Sequence, residues 1–304
     1  MKKYALIFIM GVVLLASCKT QEEPLTPSEG MEMPYKVPQG NNEYDNRIVD
    51  WNKRTGTFIL YKFTDRDAYW KKFNWDKIIY NAAGSIVGGT TLIQEAKPEY
   101  IDKLLTLVED NYFKLFPDQF LKKALPIRIL LCDTINYYSS SKFYLRNYHI
   151  GTDYICIGYA GAGFDANWTT ANIKAMRDRL VPDIFSSLLN SKDIQIPEEF
   201  KSLSTYGVAV TNTNMFEKGF LYYSSTATTV TPEWDWSNYV KYISQYPYSM
   251  FTTPPSTPDR FPYLTGMLLP AKDKYGLVKQ KYDIVVKYFK DVHGIDIQAI
   301  GNMP

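Results

Sequence analysis

The fold is decided by a stretch of sequence that reads PEYIDKLLTLVEDNY at residues 98–112 and PIRILLC at residues 126–132. In the first part, apolar residues recur at the three- and four-residue spacing of one helix face: Ile101, Leu104, Leu105, Val108 and Tyr112. Pro98 suits the first turn of a helix, where its missing N–H is not needed. The second part is a short apolar run typical of a buried strand. A helix followed by a strand is therefore predicted here.

The segments on either side of this stretch also show strand and helix patterns. A short helix is predicted from Asn46 to Lys53, and a strand from Thr57 to Phe63. The aromatic stretch after them favours a second strand or a hairpin, with Tyr69, Trp70, Phe73 and Trp75. Residues 154–159 predict another strand. It ends in a glycine loop and not in a nucleotide site, because Ala166 stands where GxGxxG needs its third glycine.

Three further helices are predicted in the C-terminal half. The first runs from Ile173 to Leu188 and contains Pro182. A proline inside a helix removes a hydrogen bond and clashes with the preceding turn, at a cost of roughly 3 kcal/mol, so we expect a kink or a break there. The other two helices span residues 235–246 and 275–289. The sequence has no internal repeat, and these patterns together place the chain in the α+β class.

The N-terminus predicts a bacterial lipoprotein. Residues 1–17 combine a basic start with an apolar run too short to span a bilayer, which is typical of an export signal. Cys18 follows a Leu-Ala-Ser cleavage site and is the predicted site of lipidation. Residues 18–40 are rich in Glu, Pro, Thr and Ser, and are predicted to be a flexible tether to a globular domain of residues 41–304.

Composition limits the function classes. The formal net charge of +2 falls to about zero once the signal peptide is removed with its two lysines, so no basic surface favours nucleic acid. The chain is 45% hydrophobic, which is enough for a sizeable core. Cys132 and Cys156 lie in strand-like runs, where a disulfide and two buried free thiols are both open. Neither cysteine has the neighbours that a metal site requires.

Several of these segments together resemble a family of Bacteroidetes outer-membrane lipoproteins described as zinc-binding metallopeptidases. The resemblance covers most of the mature chain and rests on the strand of residues 126–131, the segment IPEEF at 196–200 and the ending GIDI at 294–297. It implies a zincin-like metallopeptidase-type domain with a small mixed sheet and several helices. Glu22 and Glu23 resemble the acidic signals that send such lipoproteins to the cell surface.

The catalytic motif of that family is degenerate in this chain. HExxH places two histidines on one helix face to bind zinc, with the Glu as general base. The matching stretch has Pro182 and Ser186 at the histidine positions and Asp183 at the Glu position. A second acidic motif of the family falls on residues 234–238, where Asp235 is retained and Asn238 replaces the last carboxylate. The resemblance therefore implies a pseudoenzyme without a metal or another cofactor.

A binding role is our leading hypothesis. Four aromatic residues flank the degenerate motifs and are candidate ligand contacts, although such residues are more often core: Tyr222, Tyr223, Trp234 and Trp236. The family resemblance suggests an accessory surface subunit of a TonB-dependent, SusC/SusD-type nutrient importer that captures peptides or glycans at the outer membrane. The alternatives are a hydrolase, such as a peptidase, with an unrecognised site, and a structural surface protein. His149 and His293 are too far apart in sequence to suggest a metal pair.

Overall fold

The computed structural model describes residues 34–68, 79–88, 91–139, 142–222, 226–255 and 263–304. Residues Val37–Pro304 form one compact unit. Its helices are α1 (Glu43–Thr55), α2 (Asp65–Ala68), α3 (Pro98–Asn111), α4 (Asp118–Ala124), α5 (Phe164–Asn167), α6 (Thr170–Asn190), α7 (Glu198–Ser202), α8 (Pro232–Gln245), α9 (Tyr248–Thr252), α10 (Leu277–His293) and α11 (Ile297–Asn302). Its strands are β1 (Phe58–Leu60), β2 (Ile79–Tyr80), β3 (Ile86–Gly88), β4 (Thr91–Glu95), β5 (Arg128–Ser139), β6 (Lys142–Leu145), β7 (Tyr148–Ile150), β8 (Tyr154–Ile157), β9 (Ala209–Val210) and β10 (Thr228–Thr229).

The main sheet is mixed and is organised around β5. The first half of β5 pairs in parallel with β1 on one side and β8 on the other, and β7 is antiparallel to β8 at the edge. The second half of β5 pairs antiparallel with β4 and β6. The predicted α+β class with a small mixed sheet and several helices is confirmed. No helix among the described residues is both long and apolar enough to cross a membrane.

One continuous core joins the sheet to the long helices. The predicted face of α3 is buried, with Leu104 and Leu105 at 0% exposure. Ile129 and Leu131 of β5 lie in the same core cluster, together with apolar residues of α6, α8 and α10. The helices predicted from Asn46, Pro98 and Tyr275 are confirmed in type, and their ends differ by a few residues.

The strand predicted from Thr57 to Phe63 stops at Leu60, because side chains take the next backbone donors. The N–H groups of Tyr61 and Lys62 donate to Gln39 Oε1 at 2.8 and 3.0 Å. The N–H of Phe63 donates to Glu95 Oε1 at 2.7 Å. The compact unit therefore includes Gln39, which the sequence assigned to the tether. The aromatic stretch at residues 69–78 lies outside the described residues.

Of the predicted kink or break at Pro182, the break is wrong, because α6 continues from Thr170 to Asn190. Pro182 has no N–H, so the carbonyl of Asp178, four residues earlier, loses its usual helical partner. Gln245, at the end of α8, supplies the missing donor: its Nε2 lies 2.5 Å from the Asp178 carbonyl oxygen. Lys174 of α6 donates in return to the Gln245 carbonyl oxygen at 2.7 Å. The proline is tolerated because a neighbouring helix satisfies the group that it leaves unpaired.

Helix α8 begins three residues before its predicted start. The Thr231 hydroxyl accepts from the N–H of Trp234, and Pro232 occupies the first helical turn.

The glycine loop predicted after β8 is present, and Gly161 is required in it, since a Cβ there would lie 1.9 Å from Asp133 Oδ1. Cys132 and Cys156 lie on the neighbouring strands β5 and β8 as buried free thiols.

We predict that the effects of Gln245→Ala and Pro182→Ala on stability are coupled. Gln245→Ala leaves a partly buried carbonyl unpaired and should lower the free energy of unfolding by about 1–3 kcal/mol. In a Pro182→Ala background the new N–H at position 182 can donate to the Asp178 carbonyl. Gln245→Ala should therefore lower the free energy of unfolding by less in that background. Urea unfolding of the double-mutant cycle measures the difference. Gln280→Ala, at an exposed glutamine of α10, is the control. The prediction would be contradicted if the free-energy changes of Gln245→Ala and Pro182→Ala simply added up in the double variant.

Candidate binding cleft

A cleft of about 550 Å³ lies between α6 and α8. It brings together four of the five positions that the family resemblance matched to the catalytic motifs: Pro182, Asp183, Ser186 and Asn238. Its walls are Ala175, Asp178, Arg179, Pro182, Asp183 and Ser186 on α6, and Trp234, Ser237, Asn238, Lys241 and Gln245 on α8. Each set follows the three- and four-residue spacing of one helix face. The cleft is therefore formed by two helix faces that the Gln245–Asp178 hydrogen bond holds together.

The charges in the cleft are partly paired. Asp178 lies 2.9 Å from Lys174 Nζ, and Asp183 lies 3.2 Å from Arg179 Nε, both one helical turn apart. Burial raises the pKa of Asp183, while Arg179 and Lys241 oppose this shift. Lys241 forms no salt bridge with any described residue, so it adds an unpaired positive charge at the cleft.

The remaining polar side chains have unused hydrogen-bonding capacity. The side chains of Ser186, Ser237 and Asn238 make no hydrogen bond to other described residues. Trp234 lies beside them with 39% of its surface exposed, and its ring contacts Tyr222 edge-on at 4.6 Å between centroids. The cleft thus offers a partly exposed aromatic surface next to several free donors and acceptors.

Trp236 is not a ligand contact, in contrast to the expectation from sequence. It is 1% exposed and packs in the core against Phe200, Tyr288 and Phe289, with ring centroids 5.0 to 6.0 Å away. On a helix, two residues apart means about 200° of rotation, so Trp234 and Trp236 face opposite sides of α8. Tyr223, another candidate contact, lies outside the described residues.

Asp235 also points away from the cleft, into a buried ion pair with Lys281 of α10. Both side chains have 0% exposure. The Tyr206 hydroxyl donates to Asp235 Oδ2 at 2.8 Å, and the rings of Phe200 and Phe220 lie 4.7 Å from Lys281 Nζ. Burial raises the pKa of Asp235 to about 6, with Lys281 and Tyr206 opposing the shift. This retained motif residue therefore connects α8 to α10 and does not serve the cleft.

The residues of the cleft do not fit a zinc ion. Zinc sites in proteins use mainly imidazole and thiolate ligands, and the cleft walls contain neither. The two carboxylates of the walls are held by Lys174 and Arg179, and the unpaired Lys241 would repel a cation. No group of three or more His, Cys, Asp or Glu side chains that could hold a metal exists in the described parts of the chain.

The two histidines lie elsewhere and apart. His149 is on the edge strand β7, where burial lowers its pKa. His293 ends α10, where it contacts Phe120 and Tyr288, and burial lowers its pKa as well. Neither histidine lines the cleft.

Comparisons with known proteins add little to this description. No family model and no curated protein matches the chain. A solved structure that is similar is that of a putative zinc-binding metallo-peptidase from Bacteroides caccae, with 12% identity and a TM-score of 0.49. The similarity covers 87% of this chain and 92% of that one. At these values it carries no argument about activity, so the interpretation rests on the residues of this chain.

The sequence interpretation missed three residues that give the cleft its charge and shape: Arg179, Lys241 and Gln245. A signal for them was present, because Lys241 and Gln245 continue the helical spacing from Asn238, and Arg179 precedes Asp183 by one turn. The same spacing groups Trp236 with the buried Tyr239, Val240 and Ile243.

The two tryptophans of α8 provide a matched test of this geometry. Trp236→Ala should lower the free energy of unfolding by about 3–5 kcal/mol, because it removes a large buried ring. Trp234→Ala should cost about 1 kcal/mol or less, since its ring is partly exposed. Urea unfolding followed by circular dichroism measures both. Equal decreases in the free energy of unfolding would show that the two rings do not differ in burial.

Proposed function

We propose that this protein is a lipid-anchored, non-catalytic binding module that holds a ligand in the cleft between α6 and α8. The observation that carries the proposal is the composition of the cleft. Trp234 supplies an aromatic surface, and Ser186, Ser237 and Asn238 supply polar groups without a partner among the described residues. Ser186 is exposed, and Ser237 and Asn238 are half-buried, so solvent reaches these groups in the free protein and a ligand can take the place of that solvent.

The cleft suits glycans or peptides. Aromatic rings bind the apolar faces of sugars and peptide side chains at little cost in side-chain entropy, and side-chain amides and hydroxyls pair with ligand hydroxyl or amide groups. The side chains that line the cleft lie on two long helices and not on loops. A rigid site of this kind loses little conformational entropy when it binds.

Catalysis at this site has less support. A general base must be free to take a proton from the reacting group. Asp183 occupies the position of the catalytic Glu in the resemblance, but it is paired with Arg179 at 3.2 Å. The positions that would hold zinc in the resemblance are Pro182, Ser186 and Asn238, which bind it poorly or not at all. This set of side chains favours binding over hydrolysis.

The cellular setting of the proposal comes from the sequence. Cys18 after a lipoprotein signal would anchor the domain to the outer membrane, and residues 18–40 would tether it at the cell surface. In that setting the cleft would capture a peptide or glycan as an accessory subunit of a TonB-dependent barrel and its SusD-type lipoprotein.

The absence of catalysis can be tested by metal analysis. The purified full-length protein should contain far less than one zinc per chain and should not cleave peptides when zinc is added. The triple variant P182H/S186H/N238E should instead bind about one zinc, because it places two histidines one turn apart opposite a carboxylate. The variant P182H/S186H is the control and should bind zinc more weakly. Stoichiometric zinc or zinc-dependent peptidase activity in the natural protein would overturn the proposal.

Ligand and partner capture test the binding role. In glycan and peptide arrays, Trp234→Ala should reduce binding at least tenfold, while Tyr275→Ala, at an exposed tyrosine outside the cleft, should not. Capture of the tagged lipoprotein from membranes in mild detergent should recover a TonB-dependent barrel and a SusD-type lipoprotein, identified by mass spectrometry. Array binding that Trp234→Ala leaves unchanged would refute the cleft as the site. Recovery of the protein alone would refute the importer partnership.

A further inference from the structure

A second cavity lies beside a neighbouring face of α6. Its volume is about 350 Å³, at the lower end of the range for small-molecule pockets. Four segments form it: α6, the end of α4 with the chain that leads to β5, the turn between β7 and β8 with the strand ends beside it, and Tyr112 after α3. Its lining is mainly apolar, with Leu125, Pro126, Ile127, Ile155, Leu180 and Ile184.

The hydroxyl of Tyr112 is the unusual feature of this pocket. Tyr112 follows α3, lines the cavity and is only 2% exposed, yet it forms no hydrogen bond with the described residues. Other buried tyrosines have partners: Tyr239 donates to the Gly219 carbonyl at 3.0 Å and Tyr61 to Asp45 at 2.8 Å. Burial raises the pKa of Tyr112, and the nearby Asp183 carboxylate raises it further. The phenol is therefore neutral and can donate one hydrogen bond into the cavity.

The charges around the pocket favour a neutral ligand. Lys123 is paired with Asp193 at 2.8 Å, and Asp153 with Arg128 at 2.6 Å. The remaining charged group of the lining is Asp183, which is paired with Arg179 and would repel an anion. An anionic ligand would thus lose its hydration without gaining an unpaired cation.

We propose that this pocket binds a neutral ring system of one or two rings that carries a hydrogen-bond acceptor, and that the Tyr112 hydroxyl donates to this acceptor. The size fits, because an apolar cavity of about 150 Å³ already holds a benzene molecule. The apolar walls bind the rings, and the buried Tyr112 hydroxyl fixes their orientation, since the other hydroxyls of the lining without a partner among the described residues, those of Thr152 and Ser187, are on exposed residues. The pocket and the cleft lie on neighbouring faces of α6, with Asp183 at the boundary of both. The proposal holds whether or not the cleft binds its own ligand.

Three related probes test the proposal on the full chain: indole-3-carboxamide, 3-methylindole and indole-3-carboxylate. The carboxamide is neutral with an acceptor, 3-methylindole lacks the acceptor, and the carboxylate is an anion. Titration calorimetry and saturation-transfer NMR should show that the carboxamide binds most tightly. Tyr112→Phe should weaken its binding about three- to tenfold, the loss of one neutral hydrogen bond, and leave 3-methylindole unchanged.

Further variants separate a binding role from a structural one. Ile127→Trp, at a half-exposed residue of the pocket wall, should block all three probes, while Val292→Trp, at an exposed residue outside the pocket, should block none. Tyr112→Phe should unfold at the same urea concentration as the natural protein, because its hydroxyl has no partner in the described chain. Absence of binding by every probe at millimolar concentration, or equal carboxamide affinity in Tyr112→Phe, would overturn the proposal.

Discussion

The packing of α8 against α6 depends on one backbone carbonyl that has no hydrogen-bond partner within its own helix. Pro182 removes the hydrogen bond that the Asp178 carbonyl would accept within α6, and a carbonyl left unpaired in a partly buried position is costly. The Gln245 side chain of α8 satisfies it at 2.5 Å. This requirement fixes the register of α8 against α6 at one end of their contact. The residues that line the cleft are therefore positioned by the same interaction that makes the proline tolerable.

The buried pair of Asp235 and Lys281 fixes α8 from its opposite face. Removing two charges from water is unfavourable unless hydrogen bonds compensate, and here Lys281 and Tyr206 both donate to Asp235 Oδ2, while Oδ1 has no partner among the described residues. The aromatic rings around Lys281 Nζ provide further attraction for its charge. Helix α8 is thus held by a backbone-directed bond to α6 on one side and by an ion pair to α10 on the other. Asp235 therefore has a structural role, because it joins α8 to α10.

Local sequence patterns predicted the elements but not what joins them. The helix at Pro98 and the strand at residues 126–132 were predictable, because their apolar periodicity reflects burial directly. The continuity of α6 was not, since the donor that rescues it lies 67 residues away in sequence. Strand β1 ends early for a similar reason, as Gln39 takes the backbone donors that a neighbouring strand would use. Helical periodicity alone could have predicted that Trp234 and Trp236 lie on opposite faces of α8. The pocket at Tyr112 could not have been predicted, because residues of four separate segments line it.

The chemistry of the cleft follows from which of its side chains have an ion-pair or hydrogen-bond partner among the described residues and which do not. Asp183 and Asp178 each form an ion pair with a basic residue one turn away on α6, and both pairs are partly exposed to solvent. Among the described residues, Lys241 forms no salt bridge and Ser186, Ser237 and Asn238 form no side-chain hydrogen bond, while Trp234 provides an apolar surface beside them. Two contacts of α8 position the walls of the cleft: the hydrogen bond between Gln245 and the Asp178 carbonyl within the cleft, and the buried Asp235–Lys281 pair on the other face of α8.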